Sequence, residues 1–148
     1  MNKSVGRLVS ILYRKNQIYL NMVLKPLNLT ASELPFLIYL LDHNGVSQEE
    51  LASYLIIDKA STARAIQSLI EKGYIRKEKD RIDRRANKVF ITDVAVEQKN
   101  KIKELLQQWS DYLTKEFDEE SVNTMFTVLE GMVNKVQATD FREMWGNE

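Results

Sequence analysis

Apolar residues fall into helical stripes at both ends of the chain and change character in the middle. Val5, Leu8, Val9, Leu12, Tyr19 and Val23 recur at helical spacing and predict a long amphipathic helix over residues 5–24. Lys25-Pro26 ends it, because the residue before a proline is pushed out of the helical region. Thr30-x-x-Glu33 has the capping-box pattern and opens a helix reaching about His43, where Asn44-Gly45 supplies a stop. Pro35 complicates that start. It removes a helical hydrogen bond if Thr30 is the cap and sits harmlessly in the first turn if Ser32 is, so a delayed or bent start is expected. Beyond Thr92 the pattern is helical again. Ile102, Leu105, Leu106, Trp109, Tyr112 and Leu113 form one stripe, broken at Phe117-Asp118. Val122, Met125, Phe126, Leu129, Met132, Val133 and Val136 form another, and Phe141, Met144 and Trp145 a last short one.

The middle reads differently. Ser47-x-x-Glu50 opens a short helix through Tyr54. Asp58 is placed to cap a second helix that runs to Lys72 and stops at Gly73. Tyr74–Glu78 and Asn87–Thr92 read as short strands separated by a charged tip, Asp80 to Ala86. Two short helices, a tight turn and a hairpin with a basic tip make a winged helix-turn-helix. Its second helix would enter the DNA major groove, and its tip would reach phosphates or the minor groove. The expected fold class is mainly α with a small two- or three-stranded β-wing. Residues 30–92 form the winged helix-turn-helix lobe, and residues 1–25 and 93–148 a helical dimerisation region. A helix whose apolar face finds no partner in its own subunit must bury it elsewhere. The alternative, an internal three-helix bundle, would need a separate core in a chain of 148 residues.

Net charge is zero, but its distribution is not even. Residues 58–88 carry ten Lys/Arg against five Asp/Glu, whereas residues 104–148 carry three against ten. A basic face can meet phosphates while the acidic end stays in water. The absence of cysteine excludes disulfides, thiolate metal sites and thiol redox sensing. No run of about 18 apolar residues and no signal-peptide pattern is seen, so a cytoplasmic protein is expected. There is no phosphate-binding glycine loop, nucleophile motif or metal-ligand spacing, and the lone histidine, His43, lies near a helix end. No enzyme, cofactor or metal is expected.

The run LIEKGYIRKEKDRIDRRANKVFIT, residues 69–92, resembles the wing signature of the multiple antibiotic resistance regulator (MarR) family, and the rest of the chain agrees over nearly its full length. Ala95 departs from the resemblance, since the family often has Gly shortly after the Thr that ends the wing. The resemblance implies a homodimeric winged-helix transcription regulator, in many members a repressor that a small ligand releases. It also implies that Asp83 braces Arg85 for insertion into the minor groove.

On the 58–72 helix, Thr62, Ile66, Leu69 and Gly73 share the face expected to meet the core, while Ala60, Ala63, Arg64, Gln67 and Ser68 fall largely on the other. Arg pairs with guanine and Gln with adenine through two hydrogen bonds each, so Arg64 and Gln67 are candidate base readers. Both could instead be solvated, and Arg64 could brace the wing. Ser47, Gln48, Lys59, Ser61 and Lys72 are candidate phosphate contacts, which orient a protein without reading sequence. At the tip, Arg81, Arg84 and Arg85 would repel one another without Asp80 and Asp83 between them. Arg76 and Lys77 at the wing base read as structural. Tyr13, Arg14, Trp109 and Tyr112 are candidates for a cavity taking a phenolic or aromatic-carboxylate effector, because guanidinium pairs with carboxylate and rings stack. Packing residues are the alternative. The expected function is sequence-specific regulation at a pseudo-palindromic double-stranded operator. Its rivals are a helical protein–protein adaptor that has kept only the fold and a winged helix that binds nucleic acid without sequence choice.

Overall fold

The computed structural model describes residues 3–85 and 87–146. In order along the chain come α1 (Val5–Val23), a 3-10 turn (Lys25–Leu27), α2 (Leu34–Asp42), β1 (Val46–Ser47), α3 (Gln48–Leu55), α4 (Lys59–Glu71), β2 (Ile75–Lys79), β3 (Asn87–Ile91), α5 (Asp93–Thr114), α6 (Glu119–Gln137) and α7 (Phe141–Trp145). The chain divides into two compact units, Met1–Trp109 and Ser110–Glu148.

The first unit holds the core. Leu20 and Leu24 from α1 and its end, Phe36, Leu37 and Leu40 from α2, Leu51 from α3, and Ile66 and Leu69 from α4 are all buried. Ile75, Val89, Ala95, Ile102 and Leu105 complete it. The winged-helix core therefore continues into both flanking helices. Ala95, the departure from the family pattern, has no exposed surface. Tyr19 stacks on Trp109 at 4.8 Å between ring centroids and donates its hydroxyl to the Leu105 carbonyl at 2.8 Å.

The sheet is antiparallel and has three strands in the order β1-β3-β2. The hairpin is in register from Ile75 opposite Ile91 to Lys79 opposite Asn87. β1 adds Val46 opposite Val89 and Ser47 opposite Lys88. The Asn44-Gly45 turn enters this strand: Asn44 Oδ1 accepts the Ile91 N–H at 2.9 Å, and Gly45, with φ of 81°, donates its N–H to the Val89 carbonyl at 2.9 Å. A glycine is needed there because left-handed backbone strains any residue with a Cβ.

α2 starts late, as the position of Pro35 requires, but neither Thr30 nor Ser32 caps it. Its N-cap is Glu33, with Pro35 in the first turn. Glu33 instead reaches back, accepting the Thr30 N–H at 2.9 Å and the Thr30 hydroxyl at 2.8 Å.

In the second unit Asp118 caps α6 by accepting the Ser121 N–H at 3.0 Å. The Ser121 side chain, and after it that backbone bond, hold the Asp118 carboxyl below its ordinary range. The apolar stripe of α6, including Met125, Phe126, Leu129, Met132 and Val133, is exposed. On α1 the stripe divides. Its C-terminal part packs into the core, while Val5, Leu8, Val9 and Leu12 remain exposed.

Candidate nucleic-acid interface

The interface is built on α3, α4 and the wing. Ser47 caps α3 by accepting the Glu50 N–H at 3.1 Å. Asp58 caps α4, accepting the Ser61 N–H at 2.7 Å and the Ser61 hydroxyl at 2.8 Å. These bonds, backbone first, hold the Asp58 carboxyl below its ordinary range. The turn between the helices passes through Ile56 at φ of 56°, a left-handed position that a β-branched residue rarely takes.

α4 divides as its periodicity demands. Thr62, Ile66 and Leu69 are buried, and Ala60, Ala63, Arg64 and Gln67 face outward. Arg64 donates to Ser61 Oγ at 3.0 Å, and Gln67 donates to Glu71 Oε1 at 3.2 Å. Both are exposed and sit on one surface with two alanines, whose short side chains suit close approach of a base edge. Lys59, at the first position of α4, is exposed as well.

Three residues sit differently from the expected pattern. Gly73 is exposed and lies beyond α4, at φ of 82°, rather than on its core face. Ser68 does not face outward with Gln67; its hydroxyl donates to Glu33 Oε2 at 2.7 Å. Lys72 is turned the same way and forms an ion pair with Glu33 Oε1 at 2.7 Å. Burial pushes the Glu33 pKa up, but the bonds from Lys72, Ser68 and Thr30 outweigh burial and hold it below its ordinary value. Tyr74, packed nearby, has its phenol pushed up by burial and by the Glu33 charge. The sequence signal for this buried hub was Thr30-x-x-Glu33, but periodicity could not name its distant partners.

The wing carries the remaining cations. Arg81, Arg84 and Arg85 are all exposed. Asp83 Oδ1 accepts the backbone N–H of Arg85 at 3.0 Å, so it fixes the chain under Arg85. Asp80 does the same for the N–H of Ile82 at 2.9 Å and lies 3.9 Å from Lys88 Nζ. Arg76 pairs with Glu78 and lies over the Phe90 ring at 4.6 Å, a structural role at the wing base. Between wing and helices runs a groove of about 240 Å³ that brings Ser47, Gln48, Lys59 and Arg85 together. Gln48 Oε1 is buried there without a hydrogen-bond partner among the described residues.

A winged helix with this charge distribution is a DNA-binding architecture, and relatives agree. The MarR family profile matches residues 27–86. The HTH-type transcriptional regulator BilQ of Clostridioides difficile (strain CD3) is 30% identical over 117 residues, 79% of each chain. A MarR transcriptional regulator from Methanosarcina mazei Go1 is 35% identical, with a TM-score of 0.86 over 88% of this chain and 94% of its own. The chain belongs to the MarR family. A MarR protein from Peptoclostridium difficile, 28% identical, superposes with a TM-score of 0.86 over 93% of this chain and 90% of its own.

Members of the MarR family are transcriptional regulators rather than enzymes, and this protein is a DNA-binding regulator. Among the described residues no helix is long and apolar enough to cross a membrane. His43 ends α2, where its ring stacks on Tyr39 at 4.3 Å. Of the four effector candidates, Tyr13 lines a groove of about 600 Å³ with Gln17, Ser61 and Arg64. Arg14 donates to Ser10 Oγ at 3.1 Å on α1, and Trp109 stacks on Tyr19. Tyr112 is exposed, with Lys115 Nζ 5.1 Å from its ring centroid.

Proposed function

We propose that this MarR-family regulator is a homodimeric repressor of a pseudo-palindromic operator. Arg64 and Gln67 read base edges in the major groove, and Arg85 enters the minor groove. The observation that carries this reading is the outward face of α4, where Arg64 and Gln67 project beside Ala60 and Ala63 while the Arg-rich wing remains exposed. Lys59, Ser47 and Gln48 at the helix–wing groove serve as phosphate seats. Dimerisation through residues 1–25 and 93–148 would bury the apolar stripes left exposed on α1 and α6. It would also present two recognition helices to two half-sites.

An effector reading is favoured by the groove that Tyr13 and Arg64 share. A ring against Tyr13 and a carboxylate on Arg64 would occupy a guanidinium that DNA needs, so an aromatic carboxylate would release the operator.

The test is to select duplexes from a random library and measure Arg64→Ala, Gln67→Ala and Arg85→Ala on single-base variants at fixed salt. Losing Arg64 or Gln67 should change base preference at a cost of roughly 1–3 kcal/mol for a lost two-bond contact. Losing Arg85 should weaken many sequences by similar factors. The opposite pattern would reverse the assignment of helix and wing.

A further inference from the structure

Ile82 stands at the tip of the wing with 97% of its surface exposed, more than any other large apolar side chain among the described residues. No described residue covers it, although an isoleucine gains from burial more than most residues. Its position is nonetheless fixed. Its backbone N–H is held by Asp80 Oδ1 at 2.9 Å, and three residues on Asp83 Oδ1 holds the Arg85 N–H at 3.0 Å. Both tip carboxylates are therefore turned onto the backbone, in the manner of Asx turns. The tip presents one stiff aliphatic group flanked in sequence by Arg81, Arg84 and Arg85.

Three cations around an apolar point fit the minor groove better than any phosphate ridge. Phosphates and the negative groove potential attract the arginines, and the groove walls are sugar. The floor differs between base pairs. An A·T pair offers only the adenine N3 and thymine O2 acceptors, whereas guanine projects its exocyclic N2 amino group. An aliphatic side chain can pack over the first but collides with the second and leaves its one groove-facing N–H unpaired. Resting on the proposed docking of the wing in the minor groove, we propose that Ile82 is a specificity-determining contact that rejects G·C pairs beneath the wing tip. The chain would then read base composition at positions flanking each half-site, outside the reach of α4.

The experiment uses the duplex selected by the full-length protein, varied at the pairs flanking each half-site. Those pairs are set to A·T, G·C, inosine·C or 2,6-diaminopurine·T. Inosine·C keeps the major-groove face of G·C but lacks the N2 amino group, and diaminopurine·T adds that group to A·T. The wild type should bind A·T and inosine·C alike, and G·C and diaminopurine·T more weakly by roughly 5- to 30-fold, the scale of one unfavourable base pair. Ile82→Ser should bring that ratio close to one, and Ile82→Val should retain it. Because the side chain is almost wholly exposed, both variants should keep the wild-type circular dichroism and melting curve. The proposal is overturned if wild type does not distinguish the amino group, if Ile82→Ser still does, or if Ile82→Ser weakens all four duplexes equally. Arg85→Ala separates the two layers. If it binds as wild type does, wing docking itself fails. If it binds weakly while Ile82→Ser still discriminates, only the role of Ile82 fails.

Discussion

The Glu33 carboxylate holds the Lys72 ammonium at 2.7 Å and so ties the start of α2 to the residue that ends α4. Ser68 adds a second tie from the last turn of α4, also at 2.7 Å. The orientation of α4 is thus set by a polar clamp as well as by the apolar contacts of Ile66 and Leu69. Removing one partner leaves the other underpaired in a site where Glu33 is only 3% exposed. Glu33→Gln and Lys72→Met should each destabilise the fold by roughly 1–3 kcal/mol. In urea denaturation the double variant should lose less than the sum of the two. Full additivity would mean that the pair carries no coupling.

The same carboxylate makes stability depend on pH. The folded pKa of Glu33 lies below its ordinary value of 4.5, so as pH falls the unfolded chain takes up the proton first. The stabilisation is complete above about 4.5 and is lost as pH falls through the lower folded value. Asp58 and Asp118, held down by their caps, act in the same direction. Glu33→Gln should therefore flatten, but not abolish, the acid limb of a melting-temperature profile. An acid limb parallel to wild type would remove Glu33 from that account.

Left-handed backbone positions should respond in a set order. A Cβ at Gly45 would lie 2.8 Å from Phe90 Cε1, whereas one at Gly73 meets nothing within 4 Å. Gly73→Ala should cost about 1–2 kcal/mol from backbone strain alone. Gly45→Ala should cost more, because the Phe90 ring must also move. Ile56, strained at φ of 56° and largely exposed, should improve by about 1 kcal/mol as Ile56→Gly. Calorimetry ranks the three, and a lower melting temperature for Ile56→Gly would contradict the strain.

DNA affinity should fall steeply with salt, by orders of magnitude between about 50 and 200 mM for roughly 6–10 phosphate contacts. Lys59→Ala should reduce the slope of log affinity against log salt by about one. Asp83→Ala should resemble Arg85→Ala more weakly, because Arg85 remains but its backbone N–H loses the carboxylate that positions it. A salt-independent affinity would place binding somewhere other than the basic surface.

Light scattering at micromolar concentration should give a dimer mass. Leu129→Glu with Met132→Glu, placed on the exposed stripe of α6, should shift it to monomer and weaken operator binding. An unchanged mass would mean that this stripe is not the dimer contact.

Local chemistry was legible in the chain. Asp58 and Ser47 cap the helices their side chains announce, Lys25-Pro26 and Gly73 mark ends, and the hairpin occupies the strands that alternation predicts. Each of these depends on partners within a few residues, so sequence spacing alone determines them. The outward face of α4 follows from helical period for the same reason, as far as Gln67.

Tertiary structure decided the rest. Ser68 and Lys72 lie 35 and 39 residues from Glu33 in sequence, and only the docking of α4 against α2 brings them onto it. Nothing in the period of α4 distinguishes a hydroxyl or ammonium aimed at DNA from one aimed at a buried carboxylate. The third strand arises because Asn44 and Gly45 bond to the far edge of the hairpin. Trp109 stacks on Tyr19, 90 residues away in sequence, because the packing of α1 on α5 fixes which rings meet. Caps and periods are short-range and survive in the sequence. Long-range polar partners depend on how whole helices pack, and that packing is set by the summed burial of the core.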